Sequence, residues 1–425
     1  MAEVRPFKGF LYNGTKIKGG YSSVMAPPYD VISDKMRDEL YDKSEYNIIR
    51  LILGKCLCGS GEGENKYTRA GKLLAEWCGK NIMARDGKES FYVYVQEYSF
   101  EGEEIRRIGF IGLMEISDSV LPHEYTLAKP KEDRMNLIKQ VKGNLSPIFS
   151  LYEDKNGEVS DILERGIKGK TPLIDIICDE IRHMLWRLSD SENVAQISRK
   201  MNGRKTFIAD GHHRYEVARA YRDAMREQTG YKGEADHVMM YFTDLNDAEK
   251  LTVVATHRVI KKMPQNGRVS LVKKLDPYFS IEEKKNLGEL TGALKGKIGT
   301  DNVFGYIDKD GYLLLIPKDK RKIVSLIKDT KSEEWKKMDV SVLHSSVFKE
   351  ILGLDVIEGN ITYVKKPEEA ETLVKDNSHE AAFLLNPTRV EQLRAVAEMG
   401  DMMPQKSTYF YPKLLSGLVI NKFGE

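Results

Sequence analysis

A chain of 425 residues with 41% hydrophobic and 31% charged side chains has the composition of a folded globular protein, and its length predicts two or three domains rather than a single core. Lysine and arginine number 66 against 64 aspartates and glutamates, a formal net charge of +2, which excludes a bulk positive field able to hold a nucleic acid backbone. Any anion site must therefore be local.

The cysteines are Cys56, Cys58, Cys78 and Cys178, a spacing that matches neither a disulfide framework nor the paired C-x-x-C of a zinc site, so reduced thiols are expected. The opening MAEVRPFKGFLYNG lacks an apolar stretch of signal-peptide length, and no later run of about 18 apolar residues could span a bilayer. A cytoplasmic protein with no membrane partner is the expectation. No fixed-period repeat occurs, which argues against a solenoid or propeller.

In chain order, the prolines of APPYDVIS (26–33) dictate extended backbone, and SDKMRDELYDKS predicts a helix capped by Ser33 or Asp34. The glycines of GSGEGEN predict a loop, without the Gly-Lys-Ser/Thr ending of a phosphate loop, and Leu73, Leu74 and Trp77 give Tyr67 to Trp77 a helical stripe. FYVYVQEYSF and IRRIGFIGLMEI read as a hairpin turning at Glu101-Gly102-Glu103-Glu104. After an extended start at Leu121, a helix near Lys131 and a strand over Pro147 to Tyr152 are predicted; Asp161 to Arg187 adds a strand and a helix. Lys205 to Ala209 is a short strand and Val217, Ala218, Tyr221, Ala224 and Met225 recur at helical spacing up to Gly230; Val238 to Phe242 and Leu251 to Ala255 are short β runs. A lysine-rich section follows Lys261, then a hairpin in VFGYIDKDGYLLLIP with Lys309-Asp310-Gly311 at its tip, then mixed signals to the end. The mixture predicts an α+β protein, organised as an N-terminal α+β region (1–120), a core (121–260), an inserted or appended α+β lobe (261–380) and a C-terminal segment (381–425).

Chemistry concentrates in FIADGHHRYEVARAY (207–221). Gly211 can adopt backbone angles closed to other residues, Asp210 can cap the coming helix, and a strand-turn-helix leaves amide N–H groups and the helix dipole aimed at an anion. His212, His213 and Arg214 bring three N–H-rich side chains to a place where phosphate is already favoured. Adjacent histidines project in different directions and no third ligand is supplied at recognisable spacing, so a protein-held metal is not the reading.

A strand, then D-G-H-H-R, then a helix resembles the phosphate-binding signature of the ParB/sulfiredoxin superfold in the form found in free-serine kinases, which implies a mixed-sheet core with additional α+β lobes. MAEVRPFKGFLYN, APPYDVIS, the PHE-x-T of Leu121 to Thr126, ATHRVI and KSTYFYPKLLSGLVI resemble a large family long labelled as a domain of unknown function. Sulfiredoxins carry cysteine at the place of His212, and ParB-type proteins carry Gly-Glu-x-Arg there with DNA-binding helices; this chain has neither.

In the kinases a Pro-His-Glu segment carries the catalytic glutamate, so the resemblance implies Glu124, preceded by His123, as the base that takes the proton of serine's hydroxyl. Gln405-Lys406-Ser407-Thr408 is similar to the kinases' Pro-Lys-Thr-Thr segment, implying that Lys406, Ser407 and Thr408 hold the substrate. Asp210 and Gly211 would shape the turn, and His212, His213 and Arg214 would hold the phosphates of ADP or ATP, with Mg2+ carried on those phosphates. The implied activity is phosphoryl transfer to free L-serine, giving O-phospho-L-serine. The alternative within the superfold is a ParB-like nucleotide-binding or hydrolysing switch, or a nucleic-acid-associated protein, for which the near-neutral charge gives no encouragement. Leu51 to Leu121 and Lys261 to Lys331 have no counterpart in a minimal serine kinase.

Overall fold

The computed structural model describes residues 3–56, 64–126, 128–230, 232–247, 250–264, 267–300, 302–355 and 359–424. The chain forms two compact units, the first from Met1–Leu121, Thr126–Thr252 and Pro412–Glu425, the second from Pro122–Tyr125 and Val253–Tyr411. These boundaries differ from those expected. The strand Glu103–Glu115 pairs with His237–Asp244, Met114 opposite Val238 and Phe110 opposite Phe242, so the N-terminal region and the 121–260 stretch share one sheet. The segment after residue 380 is likewise divided, with 412–425 returning to the first unit.

The first unit holds a mixed sheet of nine strands among the described residues, in the order Val120–Leu121, Thr206–Asp210, Ile148–Tyr152, His237–Asp244, Glu103–Glu115, Phe91–Phe100, Ile181–Leu188, Ile174–Cys178, with Val4–Arg5 also against Glu103–Glu115. Two pairings are parallel, Thr206–Asp210 with Val120–Leu121 and His237–Asp244 with Ile148–Tyr152; the rest are antiparallel. The expected hairpin turns at Glu101-Gly102, both at positive φ (52° and 87°), the twist that matches the strands it joins. On one face Phe91, Val93, Val95, Phe110, Ile148 and Phe242 pack against the helices Glu158–Ile167, Ser191–Met201 and His212–Thr229 through Ile162, Ile197 and Tyr215, among others. The returning C-terminal segment is tied to the sheet by Gln96 Nε2, which donates to the Lys413 carbonyl at 3.1 Å, and by Arg107, which donates to that of Pro412 at 2.6 Å.

Two local expectations are refined. The helix expected near Lys131 is Ala128–Val141, because Pro130 falls in a first turn whose N–H groups have no intrahelical acceptor. Ser33, not Asp34, caps its helix, accepting from the Met36 N–H at 3.2 Å. Residues 59–63 of the glycine-rich stretch, and Cys58, lie outside the described residues.

The second unit is built on an antiparallel sheet in the order Phe279–Lys284, Gly311–Pro317, Phe304–Asp308, Ala381–Leu384, His257–Ile260, Ile361–Val364. The helices Leu287–Lys295 and Pro367–Lys375 cover one face through Leu290, Leu294, Ala370 and Val374. A π-helical run, Val342–Leu352, covers the other, with the Phe348 ring edge-on to Phe383 at 4.9 Å. The whole is α+β with mixed and antiparallel sheets.

Candidate functional sites

In the first unit, Asp210 ends its strand at a β-bulge: Ile208 faces Ser150 and Asp210 faces Phe149, so the ladder slips before the turn and re-aims the Asp210 side chain. Gly211 follows at φ 98°, a backbone conformation that favours glycine, and a Cβ there would lie 2.8 Å from the Arg214 guanidinium and displace it. Arg214 folds back over it, donating to Asp210 Oδ2 at 2.9 Å and to the Pro147 carbonyl. Lys413 Nζ binds Asp210 Oδ1. Asp210 thus does not cap the helix as expected; the helix starts from Gly211 with no side-chain cap, and the carboxylate serves two cations instead. Burial pushes its pKa up, but Lys413 and Arg214 outweigh that and hold it at about 2.

His212 is buried, and desolvation lowers it to about 4 against the pull of Asp210, so it is a neutral imidazole at pH 7. His213 is half-buried on the same first turn. One turn on, Glu216 accepts from Thr126 Oγ1 at 2.6 Å and Lys131 Nζ at 3.0 Å. Behind the turn a cavity of about 70 Å³ is lined by Tyr29 of the APPYD stretch, Arg134, Arg214, Ile138, Val217 and Val238. Asp133 and Arg134 brace the unit: Arg134 reaches the Ile52 carbonyl at 2.7 Å and Asp133 binds Lys66 at 2.6 Å. Lys129 is exposed.

The arrangement is an uncapped helix N-terminus beside a lysine and an arginine held by one aspartate, an environment that favours an oxyanion. The turn's carboxylates do not fit a protein-held magnesium, since Asp210 and Glu216 are each committed to lysine. Among the described residues no group of three or more His, Cys, Asp or Glu could hold a metal ion.

The second unit gathers the remaining residues singled out in the sequence. Glu124 forms a parallel bridge with Met403, whose N–H donates to the His123 carbonyl at 2.6 Å. His123 is buried with Nε2 3.1 Å from Thr408 Oγ1. The Lys406 N–H donates to Glu124 Oε1 at 3.0 Å from a left-handed backbone, φ 57°. Ser407 is buried and turns its hydroxyl inward to the Pro404 carbonyl, while Lys406 is exposed. The segments carrying His123 and Glu124 and those carrying Lys406 and Thr408, some 280 residues apart in sequence, are therefore joined by hydrogen bonds, the Lys406 N–H on the Glu124 carboxylate and His123 on the Thr408 hydroxyl, while Ser407 bonds within its own segment.

Two residues that local reading passes over stand out. Lys413 lies in YFYPKLLSG, where nothing local marks it; its signal is only that a lysine in an apolar stretch needs a partner. Arg258, in ATHRVI, is fully buried.

A family model described as "Protein of unknown function (DUF1015)" matches residues 4–341. No protein of curated function matches the sequence. Among solved structures, a conserved hypothetical protein from Pyrococcus furiosus is 15% identical with a TM-score of 0.35, covering 73% of this chain and 94% of its own. A free serine kinase in complex with AMP is 14% identical with a TM-score of 0.34, covering 70% and 86%. SbnI with a C-terminal truncation, from Staphylococcus aureus, is 11% identical with a TM-score of 0.37, covering 72% and 85%. No described helix is long and apolar enough to cross a membrane.

Proposed function

The chain belongs to the DUF1015 family, and on the resemblance of its Glu124, Gly211 and Lys406 segments to those of serine kinases we propose that it is a kinase transferring a phosphoryl group from ADP or ATP to the hydroxyl of free L-serine, giving O-phospho-L-serine. The observation that carries the reading is the Glu124 carboxylate held by the Lys406 N–H, with His123 on Thr408. Two segments that resemble the acceptor-side segments of serine kinases meet in one cluster.

The donor's phosphates are assigned to the Gly211 turn, where the first-turn N–H groups, His213 and the Arg214 and Lys413 charges favour oxyanions, and neutral His212 supplies one ring donor. Asp210 keeps those cations oriented. The serine oxygen attacks the terminal phosphorus as its proton passes to Glu124; the bond to the bridging oxygen breaks, and AMP leaves from ADP, or ADP from ATP. Thr408 and the Lys406 side chain are assigned to the amino acid.

Incubating the pure protein with serine, magnesium and each nucleotide should give phosphoserine with at least one donor, and Glu124→Gln should lower kcat by roughly 100-fold or more. A wild-type protein inert with both donors, or a Glu124→Gln variant at full rate, overturns the assignment.

A further inference from the structure

Arg258 sits in the strand His257–Ile260 with 1% of its surface exposed, and among the described residues no carboxylate forms an ion pair with it. Removing a cation from water without an anionic partner costs several kcal/mol. Three neutral acceptors meet the guanidinium instead: His344 Nε2 at 3.1 Å, the Thr256 carbonyl, and the Lys406 carbonyl at 3.2 Å. The Tyr363 ring lies 5.4 Å away. Burial lowers the guanidinium to about 10, opposed by Tyr363 and Glu124, so it stays charged at neutral pH.

His344 belongs to the π-helical run Val342–Leu352, a rare geometry that is frequently met at functional sites. Arginine only donates, so His344 Nε2 accepts and the ring is neutral, a state that burial and the neighbouring charge both favour. The other end of the network is Lys406. A non-glycine residue at φ 57° costs about 1–2 kcal/mol and persists only when its surroundings enforce it. Lys406 is held on both sides, its carbonyl by Arg258 and its N–H by Glu124.

We propose that Arg258, oriented by His344, is the positioning residue for Glu124: it holds Lys406 in the left-handed conformation that presents its N–H to the carboxylate. The cation does not touch substrate; it acts through the Lys406 backbone. As a statement about catalysis the proposal rests on the kinase reading, whereas the clamp on Lys406 does not.

Two measurements on the full chain separate these. The first is amide hydrogen exchange at Lys406 in wild type, Arg258→Met, Arg258→Lys and His344→Gln; the second is phosphoserine formation by the same proteins. Arg258→Met should speed exchange at Lys406 at least 10-fold and lower kcat roughly 10- to 100-fold while the nucleotide KM stays within about 2-fold, as expected when a reacting group is misplaced rather than donor binding lost. Arg258→Lys, which keeps the charge and one donor, should recover part of both losses, and His344→Gln should fall between. If Arg258→Met does not fold, Arg258→Lys and His344→Gln carry the same prediction in milder form. Wild-type exchange at Lys406 in folded variants overturns the clamp, and faster exchange with unchanged kcat overturns its service to Glu124. A wild-type protein that makes no phosphoserine defeats the kinase reading alone, because the exchange measurement still decides the clamp.

Discussion

His212, His213 and Arg214 read in the sequence as phosphate ligands behind a turn shaped by Asp210 and Gly211, and the structure gives these residues different tasks. Asp210 and Arg214 bind each other across Gly211, Lys413 joins them from the C-terminal segment, and His212 is buried. His212 has a stability consequence whose sign follows from its pKa. Unfolded, the imidazole titrates near 6.5; folded, desolvation lowers it to about 4, so between those values the unfolded chain binds the extra proton. Its contribution is complete above pH 6.5 and is lost as pH falls toward 4, by at most about 1.4 kcal/mol per pH unit. His183, His237, His257 and His344 are depressed in the same direction, so the wild type keeps an acid limb in any case. Urea unfolding at pH 7 and pH 5 should show His212→Gln losing about 2 kcal/mol less than the wild type over that interval. Equal losses would mean that His212 is not held neutral by the fold.

The elements that were legible in the sequence are those specified by neighbours in the chain. Glu101-Gly102 between two β-rich runs names a hairpin because the turn needs positive φ, and the stripe of Leu74 and Trp77 names a helix because both are buried on one side. The bulge at Ile208 to Asp210 and the pairing of Glu103–Glu115 with His237–Asp244 were not legible, since each depends on a strand supplied from far along the chain. Gly109 shows the difference. It has no special backbone angle, yet a Cβ there would lie 2.3 Å from the Phe242 carbonyl and 2.5 Å from the Tyr241 ring. Gly102 is the converse, with φ 87° and open space around it. Gly102→Ala should therefore cost about 1 kcal/mol, the strain of a left-handed residue, and Gly109→Ala about 3 kcal/mol, because a backbone atom cannot step aside. Denaturant midpoints for the two variants check the ranking; the reverse order would mean that the neighbouring strand yields.

At the scale of the whole molecule, a near-neutral composition leaves anion binding to local clusters, and the cations paired with Asp210 at the Gly211 turn are two side chains, Arg214 and Lys413. Domain boundaries were not legible, because a unit assembled from three stretches of chain has no compositional seam at its edges. The last stretch, Pro412–Glu425, bears most on the argument. It brings Lys413 to Asp210, the Pro412 carbonyl to Arg107 and Asn421 to Asn144, and it buries Leu414, Leu415, Leu418, Val419 and Ile420. Five aliphatic side chains at about 2 kcal/mol each, together with a buried ion pair whose loss costs about 3–5 kcal/mol, match the whole stability of an ordinary domain. A chain ending at Tyr411 should therefore lose the tertiary structure of the first unit. The sheet of the second unit has all its strands, and the core residues that pack on it, between residues 253 and 411, so it should survive the truncation. Limited proteolysis with mass mapping checks this, the expected product being a resistant fragment within 253–411 and early cleavage across 64–250. Resistance of both units at the wild-type level would show that Lys413 and its neighbours decorate the first unit without completing it.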